Sequence, residues 1–144
     1  MSVNVGQRVV KNTESVERCD AVFACKKLMD HTMLISKNPN IFLPEAQGLT
    51  ISVQMHAASI LALAAEANNT MVKTGKNWET RCKLQEEAIQ KLKSFPVLMD
   101  SCRSTFHLRK NKFEYWVFMN TNATALVIKW HEADVKRYSY LSDN

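Results

Sequence analysis

Between Leu49 and Met71 the chain runs without Gly or Pro and repeats apolar or small side chains at Leu49, Val53, Ala57, Ile60, Leu61, Ala64, Ala67 and Met71. Three- and four-residue spacing puts all of them on one face of a helix of about six turns. A stripe that long has to be covered along its whole length, and other long helices are the natural cover. Two further helical stretches follow it. One carries Ala88, Ile89, Leu92, Phe95, Met99, Cys102 and Phe106; the other carries Trp116, Met119, Ala123, Leu126, Val127 and Trp130. With three glycines and three prolines in 144 residues, a turn-rich all-β fold is excluded. The expected fold is all-α, an antiparallel up-down four-helix bundle.

The boundaries follow from local chemistry. Residues 1–12 have no helical period and read as a flexible arm. Thr13 or Ser15 is placed to cap a first helix, which Asn38-Pro39-Asn40 ends near Lys37. Its stripe is uneven: Val16, Cys19, Val22, Phe23, Met29 and Met33 share a broad face, interrupted by Lys26 and Asp30. The second helix is expected to start within 45–49 and to end near Gly75, a suitable residue just beyond a helix terminus. The third starts near Asn77 and contains Pro96, which removes a hydrogen bond to Leu92 and predicts a kink or break. The fourth runs from Lys112 to Tyr138. The bundle thus spans 13–138, and 139–144 are expected to fray.

Four cysteines, Cys19, Cys25, Cys82 and Cys102, form no CxxC pair, and no secretory apolar stretch precedes them. Reduced thiols packed as small hydrophobes, in a cytoplasmic protein, are the expectation. Ile51–Ala65 comes closest to a membrane span, but Ser52, Gln54, His56 and Ser59 interrupt it.

Catalytic and metal signatures are sparse. No acidic residue is followed three positions later by His, the spacing that bundle metal sites use. His31, His56, His107 and His131 lie in separate segments. His131-Glu132 opens like a zinc-protease motif, but Val135 stands where the second histidine belongs. Gly75-Lys76 lacks the rest of a phosphate loop. His56 reads as a satisfied structural histidine, and Arg103 with His107 is too closely spaced for a nuclease pair. No catalytic residue, metal ligand or cofactor is assigned.

Charge is more informative. Lys and Arg exceed Asp and Glu by five, and the isoelectric point is about 9.1. Arg103, Arg109, Lys110 and Lys112 cluster with Phe106 and Phe113 between them; Lys91 and Lys93 lie on the third helix; Lys129, Lys136 and Arg137 lie on the fourth. These nine are the candidate nucleic-acid-binding residues, spread over the bundle rather than gathered in one stripe.

Three stretches carry a family resemblance: LTISVQMHAASILALAAEAN (Leu49–Asn68), EEAIQKLKSFPVLM (Glu86–Met99) and KFEYWVFMNTNATALVIKW (Lys112–Trp130). Together they resemble the second, third and last helices of the small four-helix-bundle proteins related to the accessory variability determinant of diversity-generating retroelements. That family also includes proteins encoded in intervening sequences of bacterial 23S ribosomal RNA genes. The resemblance covers about residues 20–135. It implies a barrel-like homopentamer of bacterial or phage origin that binds a reverse transcriptase and nucleic acid and supports mutagenic copying of a template RNA, without being the polymerase. By position, Trp130 matches a core or interface residue, and Glu66, Ala67 and Asn68 match the end of the second helix. The chain departs from the family where Pro96 and Asp100 replace arginines, and where Thr124 and Ala125 replace a Gly and a basic residue. The function expected is therefore a non-enzymatic, nucleic-acid-binding accessory protein in a ring-like homo-oligomer. The alternative is a protein-interaction scaffold of the same fold that binds no nucleic acid, with Trp78, Trp116 or Tyr138 as contact anchors.

Overall fold

A computed structural model describes residues 13–143, and side chains over 20–142. The expected arm at 1–12, the Thr13 or Ser15 cap, and Val16 and Cys19 of the first stripe lie outside the described residues or side chains. Four helices account for nearly all of the rest: α1 (Thr13–Ser36), α2 (Gln47–Asn69), α3 (Gly75–Phe106) and α4 (Lys110–Tyr138). Short 3-10 helices stand at Pro44–Ala46 and Ser139–Asp143, and no strand occurs among the described residues. Short connections make consecutive helices antiparallel. α1 packs on α2 and α4, and α3 packs on α2 and α4, so the protein is an all-α four-helix bundle.

The interior has a regular period. On α3 the buried positions are Trp78, Arg81, Gln85, Ala88, Leu92, Phe95, Met99, Cys102 and Phe106, a strict alternation of three and four. On α4 they are Trp116, Asn120, Ala123, Val127, Trp130 and Asp134, and on α2 Thr50, Val53, Ala57, Ile60, Ala64 and Ala67. A 3.5-residue period keeps one seam facing the neighbours along a long helix, as in left-handed coiled-coil packing.

The inner face of α1 differs from the expected one. Ala21, Ala24, Cys25, Leu28, Thr32 and Ser36 are buried, whereas Phe23 is 59% exposed, and Val22, Met29 and Met33 are only half-buried. Thr32 is tolerated there because its hydroxyl donates to Leu28 O (2.8 Å) and accepts from Trp116 Nε1 (2.9 Å).

Three boundary expectations are corrected. α2 ends at Asn69, and Gly75 is the first residue of α3. Thr74 caps that helix, its Oγ1 accepting from Asn77 N at 3.2 Å. Gly75 is required by a close approach: a Cβ there would stand 2.8 Å from Leu141 O. The residues bringing Leu141 to this point were expected to fray; instead Ser139–Asp143 form a 3-10 helix against α3, and Trp78 Nε1 donates to Ser142 Oγ at 3.1 Å.

Pro96 neither breaks nor ends α3, which runs through it. The Leu92 carbonyl that the proline leaves without its helical donor accepts instead from Asn120 Nδ2 of α4, at 3.0 Å. One residue earlier, His56 of α2 bonds through Nε2 to Lys91 O (2.7 Å) and stacks on Phe95 with ring centroids 4.9 Å apart. His56 is thus a satisfied structural histidine.

Pro44–Asn69 is long and apolar enough to cross a membrane, with a mean hydropathy of 1.4, a feature that the polar interruptions had discounted. Here the stripe Val53, Ala57, Ile60, Ala64 and Ala67 packs inside the bundle, while Ile51, Met55 and Ala62 face outwards.

Candidate nucleic-acid interface and a buried ionic network

The nine candidate residues fall into three groups. Arg103, Arg109, Lys110 and Lys112 gather around the tight α3–α4 turn. α3 ends there because His107 takes up the left-handed conformation (φ 52°, ψ 50°) and Leu108 N returns to Arg103 O at 3.3 Å. This αL residue is the structural role of His107. Arg103 lies over the Phe113 ring, 4.8 Å from its centroid, which ties the end of α3 to the start of α4. Asn38 and Ile41, from the α1–α2 connection, share one groove with Lys112, so Lys37 also belongs to this end. Beside that groove, burial first and the Lys112 charge second hold the His31 pKa below its ordinary value.

Lys91 and Lys93 lie about 18 Å further along α3, by the rise of a helix. Lys93 is exposed and Lys91 half-buried. Lys129 is exposed on α4, and Lys136 and Arg137 lie about 36 Å beyond Lys112, at the opposite end. Arg137 Nη1 donates to Asp134 Oδ1 at 2.7 Å. The structure therefore brings four of the nine together and leaves the rest apart.

The turn cluster has an electrostatic peculiarity. From Ser101 to Phe113 there is no acidic residue. The first turn of α4 is also without acids, and its cap position, Arg109, makes no side-chain capping bond. Only Asn111 Oδ1, accepting from Lys112 N at 2.9 Å, offers a local side-chain acceptor there. A helix N-terminus carries partial positive charge and favours anions. This one is crowded with cations.

A second polar assembly was not foreseen. Arg81 and Asp134, 1% and 0% exposed at their side chains, pair across α3 and α4 with Arg81 Nε donating to Asp134 Oδ2 at 2.7 Å. Gln85 Nε2 donates to the same oxygen at 2.8 Å. Arg81 Nη1 donates to Thr70 O (3.1 Å), just past the end of α2, and reaches Ala67 O (3.5 Å), which also accepts from Thr70 N. The guanidinium also lies over Trp130, 5.5 Å from its ring. Gln85 Oε1 faces His131 Nδ1 at 2.9 Å. The only signal in the sequence was spacing: Arg81, Gln85 and Asp134 continue the three-and-four alternation of their helices, where polar residue types conceal it.

Cys82 and Glu86, one turn apart on α3, meet His131 of α4 beside this network, with one donor atom of each within 4.8 Å of the others. Burial, reinforced by Glu86 and Asp134, raises the Cys82 thiol pKa. Burial alone pushes those of Cys25 and Cys102 to about 12. Cys25, Cys82 and Cys102 are all free thiols. No family model matches the chain, and neither the curated proteins nor the solved structures contain a significant match.

Proposed function

We propose that the protein is a non-enzymatic, nucleic-acid-binding accessory subunit that assembles as a ring-like homo-oligomer in the cytoplasm and partners a reverse transcriptase. The observation that carries nucleic-acid binding is the basic turn between α3 and α4, which has no acidic residue from Ser101 to Phe113. Arg103, Arg109, Lys110 and Lys112 surround a helix N-terminus without an acidic residue in its first turn. Cations there are unfavourable in the free protein, and a bound phosphate would offset both the crowded charge and the helix-terminal amides.

Support for self-assembly comes from α2. Its exposed positions Ile51, Met55 and Ala62 are apolar, with Ser52 beside them, Met55 is 67% exposed, and no Asp, Glu, Lys or Arg occurs from Gln47 to Ala65. A second copy covering this face would remove it from water. A pentameric ring and the reverse-transcriptase partner rest on the resemblance of the three helical stretches alone.

The test is a titration of the purified protein with structured RNA and with duplex DNA at several salt concentrations, with solution mass measured alongside. The reading expects an oligomer whose affinity falls steeply with salt. Arg109→Glu with Lys110→Glu should weaken binding and flatten the log–log salt slope by about two, near one per lost phosphate contact. An unchanged affinity and slope would remove the turn from the interface. The scaffold reading is favoured by Pro96 and Asp100 at the family's arginine positions; it expects the oligomer but no binding even at low salt.

A further inference from the structure

We propose that Cys82, Glu86 and His131 form a three-ligand site for Zn²⁺ or a similar divalent transition-metal ion, with a further coordination position open to solvent. Thiolate, imidazole and carboxylate are the ligand types that zinc takes, and a site with three protein ligands leaves room for water. Cys82 and Glu86 stand four residues apart on one face of α3, and His131 comes from the facing helix. This is the cross-helix convergence by which bundles build metal sites. His131 Nε2 lies 3.9 Å from Glu86 Oε2. Ligands of a tetrahedral zinc are about 3.3–3.8 Å apart, given bonds of about 2.0–2.3 Å. The three donor atoms lie within 4.8 Å of one another, so side-chain rotations of about 1 Å at the ligands, the 60% exposed Glu86 among them, complete the approach.

The buried network prepares the histidine. A carboxylate oxygen only accepts, so Asp134 orients the Gln85 amide with its nitrogen inward, 2.8 Å from Oδ2. The amide oxygen then faces His131, whose Nδ1 must donate to it over 2.9 Å. That fixes the tautomer with the proton on Nδ1 and leaves the Nε2 lone pair towards Glu86. Hydrogen bonding of the remote ring nitrogen is the outer support that zinc-binding histidines commonly have. Arg81 and Arg137 hold Asp134 in turn. Gln85 is therefore a positioning residue for the site.

Access is present too. Cys82 and Glu86 line an open groove of about 500 Å³ that also borders Trp78 and Ser142. On binding, the Cys82 S–H bond breaks, the sulfur lone pair forms the metal–sulfur bond and the proton leaves to solvent.

The probe is Co²⁺ added to the full chain under a phosphine reductant. One equivalent should produce a near-ultraviolet thiolate-to-cobalt charge-transfer band, and Zn²⁺ should displace it. Cys82→Ser should abolish the band while helical circular dichroism is kept. Glu86→Gln and His131→Gln should each weaken Zn²⁺ at least about tenfold in competition with a chromophoric chelator, and Gln85→Leu about 10–100-fold, as for lost outer-shell bonds. Three results overturn the site: no band from the wild-type chain, a band that survives Cys82→Ser, or Zn²⁺ affinity indifferent to both Glu86 and His131.

Discussion

Near the α3–α4 turn the interior of the bundle is aromatic, whereas beside the α2–α3 connection it is ionic. In the first region Phe42 lies 4.6 Å from Phe106 and 6.4 Å from Trp116, centroid to centroid, and Phe95 lies 5.9 Å from Trp116. In the second, Arg81, Gln85 and Asp134 occupy the same kind of inward position. Apolar burial is non-directional, so the aromatic region tolerates small shifts at a graded cost. The ionic region does not, because a misplaced partner leaves a buried charge without compensation. Stability at the aromatic end therefore depends on volume filled, and at the ionic end on every partner being in place.

The largest effects should come from truncation at either end, and a double variant should separate them. Phe95→Ala should cost about 3–5 kcal/mol through the cavity it leaves. Asp134→Ala should cost a similar 3–5 kcal/mol, since Arg81 would remain buried and unpaired. Arg81→Met combined with Asp134→Leu should cost less than Asp134→Ala, because neither charge of the pair stays buried and what is lost is the Gln85 amide's and the Thr70 carbonyl's partners. Denaturant melts of the three variants check this, and a double variant as damaged as the single one would contradict the division. Next in size is Asn120→Ala, which leaves Leu92 O without its donor and should cost about 1–3 kcal/mol by the same measurement. His107→Gly should act in the other direction, raising stability by about 0.5–1 kcal/mol, because glycine holds φ 52° without strain. A lower melting temperature would show that the His107 side chain matters.

The smallest effect concerns pH at the aromatic end. Burial and Lys112 depress the His31 pKa below 6.5, so the unfolded chain binds a proton more readily than the folded one. Stability should therefore fall as pH drops from about 6.5 to the folded-state pKa and level off below it. His31→Gln should remove that component of the pH profile; an identical acid limb in the variant would assign it elsewhere.

The same contrast explains what the sequence revealed. Leu92, Phe95, Met99, Val127 and Trp130 were legible because residue type and spacing agreed. Arg81, Gln85 and Asp134 were not, because the spacing continued through residues whose type points to solvent. On α1 the error was opposite: Phe23 looked like core by type, yet the small side chains Ala21, Ala24 and Cys25 occupy the inside. The basic turn was legible as composition, but its place at an uncapped helix start needed the true beginning of α4 at Lys110 rather than Lys112. Cys82, Glu86 and His131 meet only across two helices and form no contiguous motif.

The carbonyls around Pro96 carry a consequence for how the chain reaches its folded state. α3 alone lacks a backbone bond at its centre, and Asn120 of α4 supplies the missing donor while His56 of α2 engages the adjacent carbonyl. An isolated α3 peptide would therefore be weakest in the middle rather than at its ends. Docking of α4 supplies the missing donor at Leu92 and so stabilises the middle of α3. Helix integrity at that point is thereby coupled to assembly, which favours all-or-none folding of the bundle.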